Sequence, residues 1–437
     1  MNATIFQSDK GDCLLIESDD GKLLLTDGGM KQSFLAHVAP ALGRLREAGR
    51  EIDVAYVSHI DQDHIAGILQ LMDDEAAWRV FDHQQTIGNH TVREPENPRP
   101  PKVRALWHNA FHELIGRNSG AIENLLAASS RILAAATNPI LLEISAEHQN
   151  LALSKAEAVR LSRRAGPGQL GIPLNTPAAG KLMQVRSSGQ FIQLGSLRLF
   201  TIGPFAADLR TLRTEWNDWL RQNRETLRKL REQAERDERD LGNALAAFTR
   251  RMEIAAETFG DRAAVTAPNL ASLMFYVEEP RAGGGKKKYL LTGDGHCNDI
   301  LKGLRHHQKL DQQNGAGLHV DMLKVQHHGS EHNSDEDFCR AITADHYVFC
   351  GNGEHTNPEL GVIKLVLNSR VGPAAARSPN AETGNPFTLW FNSSEAATAG
   401  ANRTHMRSIK RLVTRAAATH PAVSFKFLEG DSFRLSI

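Results

Sequence analysis

The chain has 437 residues, 41% of them hydrophobic, and balances 51 Lys+Arg against 51 Asp+Glu. That length buries a full core, as two domains or as one enlarged by insertions, and the balanced charge excludes a uniformly basic nucleic-acid binder, so any basic surface is local. Four scattered cysteines (Cys13, Cys297, Cys339, Cys350) without a CxxC pair exclude a disulfide framework and read as reduced thiols.

The N-terminus, Met1-Asn2-Ala3-Thr4-Ile5-Phe6, has no charged region followed by a long apolar run, and no run elsewhere is long enough to span a bilayer. The expectation is a soluble, cytoplasmic protein without membrane contact. Thr4-Ile5-Phe6-Gln7 reads as a strand, Gly11-Asp12 as a turn, and Cys13-Leu14-Leu15-Ile16-Glu17 as a second strand. Asp19-Asp20-Gly21 turns the chain into Leu23-Leu24-Leu25-Thr26, which ends at Asp27-Gly28-Gly29. Continuous apolar runs between turns predict strands inside a sandwich. Residues 32–50 read as a helix with Leu35, Val38, Leu42 and Leu45 on one face.

Val54-Ala55-Tyr56-Val57 is rich in strand formers, and Ile65, Ile68, Leu69 and Met72 recur at helical spacing. Between them lies Ser58-His59-Ile60-Asp61-Gln62-Asp63-His64, with four side chains capable of binding metal on one tight loop at a strand end. Imidazole with carboxylate suits zinc, manganese or iron better than calcium or magnesium. The plain alternative is that Asp63 caps the following helix. Against it stands the cost of packing two Asp and two His behind an apolar strand with nothing positive to hold them.

Residues 78–99 read as strand fragments and loop, and 103–111 lead into a largely helical run to about residue 136. His108 and His112, four apart, fit a helical metal pair or simple packing. Ser154-Lys155-Ala156-Glu157 looks like a capping box, and Gly166-Pro167-Gly168 ends its helix. Residues 191–204 predict a hairpin around Gly195-Ser196. Residues 208–259 read as an amphipathic arm, one long helix or a helical hairpin, for packing or homodimerisation in preference to a substrate lid; its mixed charge argues against nucleic-acid binding.

Residues 269–277 return to strand, and Gly283-Gly284-Gly285 with Lys286-Lys287-Lys288 marks a solubilising hairpin tip. Three strand-then-loop units follow: Tyr289-Leu290-Leu291-Thr292-Gly293-Asp294, Met322-Leu323-Lys324-Val325-Gln326-His327-His328-Gly329-Ser330, and Tyr347-Val348-Phe349-Cys350 running on to His355 and Pro358. Thr388-Leu389-Trp390-Phe391 is a strand. Residues 402–418 read as a helix carrying Arg403, Arg407, Lys410, Arg411 and Arg415, a solvated face or one wall of a substrate groove. Val423–Phe427 and Ser432–Leu435 read as a closing hairpin through Glu429-Gly430.

The strings HIDQDH, TGD and HHGS, with a looser HTNP, resemble the metallo-β-lactamase fold. The HxDxDH form with HHGS is similar to the hydrolase domain of ComEC-type competence proteins and their free-standing relatives. The chain departs from the wider pattern in having Asp61 where the middle His stands and no His between Pro204 and Asn269, which bears on one of two metal positions. The resemblance covers about residues 1–75, 190–205 and 265–365. It implies one αββα sandwich over 1–437 with helical insertions at 105–190 and 205–262 and a C-terminal helix and hairpin at 370–437.

It also implies one or two divalent ions, zinc or manganese, held by His59, Asp61, Asp63, His64, Asp294, His328 and His355. Asp294 is placed to bridge, Asp27 to orient ligands, and Asp63 to orient a nucleophilic water. His328 is a ligand or the acid for the leaving group, with His327 behind it. The implied activity is a metal-dependent phosphodiesterase or nuclease, with single-stranded nucleic acid among the implied substrates. The alternatives are a hydrolase of a small ester, lactone or thioester, and a catalytically weak scaffold.

Overall fold

The computed structural model describes residues 1–109, 157–158, 160–207, 209–210, 272–310 and 317–437. Two sheets form from these residues. The first runs β14-β1-β2-β3-β4-β5, with β1 (Asn2–Phe6), β2 (Leu14–Glu17), β3 (Leu23–Thr26), β4 (Val54–Val57), β5 (Leu106–His108) and β14 (Ser432–Ser436). The second runs β13-β12-β11-β10-β9-β8-β7-β6, with β6 (Ile192–Leu194), β7 (Leu197–Gly203), β8 (Met274–Pro280), β9 (Lys286–Leu291), β10 (Leu318–Lys324), β11 (Ile342–Phe349), β12 (Phe387–Phe391) and β13 (Val423–Phe427).

The strand alternation sets the layers, because successive side chains point to opposite faces. Leu24, Val54 and Tyr56 face Phe275, Tyr289, Leu291, Met322 and Val348 of the other sheet, forming the central core. Leu23, Leu25, Ala55 and Val57 face outward onto Phe34, Leu42, Ile65 and Ile68. These last four lie on the helical turn Phe34–Val38 and on α1 (Ala39–Glu47) and α2 (Gln62–Thr86). The outer face of the second sheet buries Tyr276, Leu290, Leu323 and Phe349 against α3 (Cys297–His306), α4 (Glu336–Ala341), α5 (Leu360–Val371) and α6 (Gly400–Thr419). The order is helix, sheet, sheet, helix: the expected αββα sandwich.

Two expectations are corrected. Residues 78–86 are helix, not strand fragments, since α2 continues to Thr86. Trp78 holds this end in place: its indole N–H donates to the Asn97 carbonyl at 3.0 Å, and the Arg99 guanidinium lies 4.4 Å over its ring. The closing hairpin does not exist, because β13 pairs parallel with β12 while β14 pairs antiparallel with β1. The chain after α6 crosses between sheets, and Leu435 joins the central core.

His108 is on a strand, so a helical pair with His112 is not formed; His112 itself lies outside the described residues. The same holds for most of the 105–190 insertion and for the 208–259 arm beyond Leu209 and Arg210, including its expected role in dimerisation. No helix among the described residues is long and apolar enough to cross a membrane.

Strands β3 and β4 run parallel in the first sheet, and β9 to β13 run parallel in the second. Parallel strands send all their C-terminal loops to one end of the sandwich. There the loops after β4, β9 and β10 meet.

Candidate metal centre

The loop after β4 brings His59, Asp61, Asp63 and His64 to one point. Asp61 is the N-cap residue of α2, yet its side chain makes no capping hydrogen bond. Its Oδ2 instead lies 3.5 Å from His59 Nε2. Asp63 sits in the first turn with its carboxylate 3.2 Å from His328 Nε2 and 3.9 Å from His64 Nε2. The plain reading of Asp63 as the helix cap fails, since Asp61 holds the N-cap position and the Asp63 carboxylate turns to the histidines.

Close backbone approach seats this loop. A Cβ on Gly67 would lie 2.1 Å from the Gly28 carbonyl oxygen, and one on Gly28 would lie 2.3 Å from the Ile68 nitrogen. Only a glycine pair lets the turn after β3 rest on α2, and that contact carries Asp27 to His64.

Asp294, after β9, lies between two groups. Its Oδ2 is 3.5 Å from His59 Nε2 and 3.6 Å from His327 Nε2 on one side, and 3.4 Å from His328 Nε2 on the other. Its Oδ1 is 3.3 Å from His64 Nε2. His327, expected behind His328, stands beside it. Both have left-handed backbones, φ 46° and 54°, and both rings turn to the same carboxylate. Non-glycine residues pay for that conformation, and such strain concentrates at functional sites.

The hydrogen bonds assign the ring tautomers. His64 Nδ1 donates to Asp27 Oδ2 at 3.0 Å. Ser58 Oγ gives its one proton to Asp27 Oδ2 at 2.8 Å and so accepts from His59 Nδ1 at 3.1 Å. His328 Nδ1 donates to the Cys350 carbonyl at 2.8 Å, with Asp12 Oδ1 at 3.1 Å. His327 Nδ1 donates to Asn333 Oδ1 at 2.6 Å, and that amide is oriented by its own nitrogen donating to the Asp294 carbonyl at 2.9 Å. All four imidazoles, when neutral, therefore aim an Nε2 lone pair at the carboxylates. Outer partners fix a metal-ligating histidine in this way.

These residues fit a metal ion. His59 Nε2 and Asp294 Oδ1 are buried and make no hydrogen bond among the described residues, and His64 Nε2 lies only 3.3 Å from His328 Nε2. Lone pairs facing one another need a cation between them. Zinc bonds to N and O of about 2.0–2.2 Å place the corners of a tetrahedral shell roughly 3.4 Å apart, close to the spacings found here.

The electrostatics agree. Burial disfavours charge on His64, yet Asp294, Asp27, Asp63 and Asp12 raise its pKa well above the usual value. His328 behaves likewise under Asp294 and Asp12. Burial also opposes ionisation of Asp63 and Asp294. For Asp63, His64 and His328 override it; for Asp294, His328, His64, His327 and His59 hold the carboxyl well below the usual range. Burial leads for His327 and keeps its pKa low, despite Asp294.

The sign of the pH effect follows for chelator-treated protein. Raised histidine pKa values stabilise the fold below about pH 6.5, and that contribution is lost as pH rises through the elevated values. Depressed carboxylate values stabilise it above about pH 4 and fail only in acid. The melting temperature in EDTA should fall from neutral to alkaline pH. The rise on adding zinc or manganese should grow over the same range, since ligation displaces those protons. A metal-induced rise greatest in acid contradicts this network.

His355 is not part of the group. Its side chain is 67% exposed, and its Nε2 lies 3.5 Å from Glu354. A left-handed backbone, φ 52°, in the Gly353–Thr356 turn directs it to solvent. Two buried contributors had no sequence signal of their own. Asp12, read as a turn residue, is 1% exposed behind His328, and Lys324, read as the end of a strand, is 2% exposed beside Asp12. Asp27, expected to orient ligands, accepts from His64.

Residues 9–105, less than half of the chain, match the family model described as Metallo-beta-lactamase superfamily. The chain carries a metallo-β-lactamase superfamily domain. That match spans β2 to β4 and the His59–His64 loop, and the second sheet supplies the facing half of the metallo-β-lactamase sandwich. No curated protein matches the chain. Among solved structures, the crystal structure of the metallo-β-lactamase MIM-1 from Novosphingobium pentaromativorans is similar at 10% identity, covering 96% of this chain and 90% of that one, with a TM-score of 0.23. So loose a superposition places no residue.

Proposed function

We propose that this metallo-β-lactamase-fold protein is a metal-dependent hydrolase acting on phosphodiesters. The observation that carries the reading is the set of four histidines whose Nδ1 atoms are all tied to acceptors, so that Nε2 faces Asp61, Asp63 and Asp294. His59, Asp61 and His327 with Asp294 would hold one divalent ion, and Asp63, His64 and His328 with Asp294 a second. His327 thereby takes the part of the His missing between Pro204 and Asn269. Zinc or manganese bound there would supply Lewis acidity and a water with its pKa lowered from 15.7 to about 7.

The chain's own residues do the rest. Asp61 and Asp63 keep 29% and 19% of their side chains exposed, so substrate reaches the centre past them. Asp63 orients the attacking water. His328, with Nδ1 engaged and Nε2 against Asp63 and Asp294, serves as a ligand and not as the acid for the leaving group. At the rim, Lys10 donates to Glu354 at 2.8 Å. Burial opposes its charge, but Glu354, Asp63 and Asp9 raise its pKa, so a cation paired with Glu354 stands ready to receive an anionic ester.

Support for a nucleic-acid strand comes from α6. It exposes Arg403, Arg407, Lys410, Arg411 and Arg415 and contains no Asp or Glu. Phosphate contacts of that kind are sequence-independent and weaken with salt.

The deciding experiment compares turnover of bis(p-nitrophenyl) phosphate with that of a lactone and thioester panel on zinc- and manganese-loaded protein. Preferential phosphodiester hydrolysis is expected. Activity confined to the lactones or thioesters replaces this reading with the small-ester one, and metal-free, inactive protein leaves a scaffold.

A further inference from the structure

Asp12 offers a ligand atom within 4.8 Å of those of His64, Asp294 and His328, which by itself would make it a further ligand for an ion on that side. A side chain already stands there. Lys324 Nζ contacts Asp12 Oδ2, lies 3.8 Å from Asp294 Oδ1, and donates to the Gly293 carbonyl at 3.1 Å. The lysine cannot drift away: it ends β10, where Thr292 Oγ1 donates to its carbonyl at 2.7 Å. Burial opposes its charge, but Asp12 and Asp294 outweigh that and keep the ammonium protonated.

We propose that Lys324 is a fixed internal cation that occupies the Asp12 side of the centre, so that Asp12 stays behind His328 as an acceptor for Nδ1 and never becomes a metal ligand. The inference rests on reading the site as a metal centre. It explains an arrangement that is otherwise wasteful, a lysine buried within reach of two carboxylates that a divalent ion would prefer. An exposed ion pair contributes little, but a buried one left half-paired is costly. Lys324 is thus a positioning residue: it acts on His328 through Asp12, and on Asp294 directly.

The test pairs Lys324→Met with the double variant Asp12→Asn/Lys324→Met. Asparagine removes the charge while its carbonyl still accepts from His328 Nδ1. Metal equivalents are counted after equilibration with manganese and with zinc, and bis(p-nitrophenyl) phosphate turnover is measured on the same samples. Lys324→Met should depart from the wild-type count, because a bare Asp12 competes for the ion that Asp63, His64 and His328 would hold, and should lose about tenfold or more in turnover, as when a partner behind a metal ligand is lost. The double variant should return to the wild-type count and recover most of the turnover, and Lys324→Arg should keep the wild-type count.

A wild-type count and turnover in Lys324→Met overturn the proposal. So does a double variant no better than Lys324→Met, because a lysine that merely packs, or that touches substrate, is not rescued by neutralising Asp12. If Lys324→Met does not fold, the double variant decides: folding with the wild-type count supports the proposal, and any other result overturns it. Wild-type protein that binds no metal removes the centre itself, whereas metal-loaded wild type beside an unchanged Lys324→Met removes only the role of the lysine.

Discussion

Asp294→Asn should leave the protein folded and strip it of both metal and activity. The amide keeps the shape of the carboxylate and removes its charge. One carboxylate spans the whole centre: Oδ2 lies 3.4–3.6 Å from His59, His327 and His328, and Oδ1 lies 3.3 Å from His64. Losing it costs both proposed ion positions at once, where loss of His59 costs one. Bound metal should drop below one equivalent, and phosphodiester turnover should fall by at least about a thousandfold, roughly 4 kcal/mol of barrier. Asp294→Ala should do the same. His59→Ala should retain metal on the Asp63, His64 and His328 side while turnover falls. Metal analysis of the three proteins beside wild type checks the ranking. Full loading of Asp294→Asn sinks the shared-carboxylate centre.

The parts of this centre that were legible in the sequence are those made by one loop. His59, Asp61, Asp63 and His64 fall in six consecutive positions after an apolar strand, and strand β4 with helix α2 leaves them nowhere to diverge. Asp294, on another loop, was legible only through the resemblance, as the acid that follows the strand read over residues 289–292. The layered fold was equally plain, because runs such as Leu23–Thr26 and Val54–Val57 are apolar on both faces and need cover on both. Asp12 and Lys324 were not legible, because what makes them matter is each other, across more than three hundred residues of chain. The backbone decided the histidine pair and His355. Left-handed conformations at His327, His328 and His355 turn the first two inward and the third outward, and histidine's enrichment in that region does not say which of the chain's histidines adopt it or which way each then points. Strand β14 shows the same limit: the Glu429-Gly430 turn signal was local, while its partner β1 lies at the other end of the chain.

The tautomer argument has its own sharp consequence at Asp27. This residue is 3% exposed and has φ 55°, a conformation that asparagine tolerates as well as aspartate does. Its Oδ1 accepts the Ser58 backbone N–H at 2.7 Å, while Oδ2 accepts from Ser58 Oγ at 2.8 Å and from His64 Nδ1 at 3.0 Å. In Asp27→Asn the backbone N–H cannot change its role, so the amide oxygen must face it. The NH2 group then faces His64, whose Nδ1 must become the acceptor and whose proton must move to Nε2. The lone pair that pointed at Asp63, Asp294 and His328 disappears without one ligand being mutated. Metal affinity should fall about 10- to 100-fold, the range for loss of a partner behind a metal-ligating histidine. Asp27→Gly, which suits the same φ and admits water beside Nδ1, should lose less affinity than Asp27→Asn although it removes more atoms. Competition titrations of the two variants against a chelator read the order directly. The reverse order means that Asp27 supports the fold around Ser58 and does not choose the face that His64 offers to the metal.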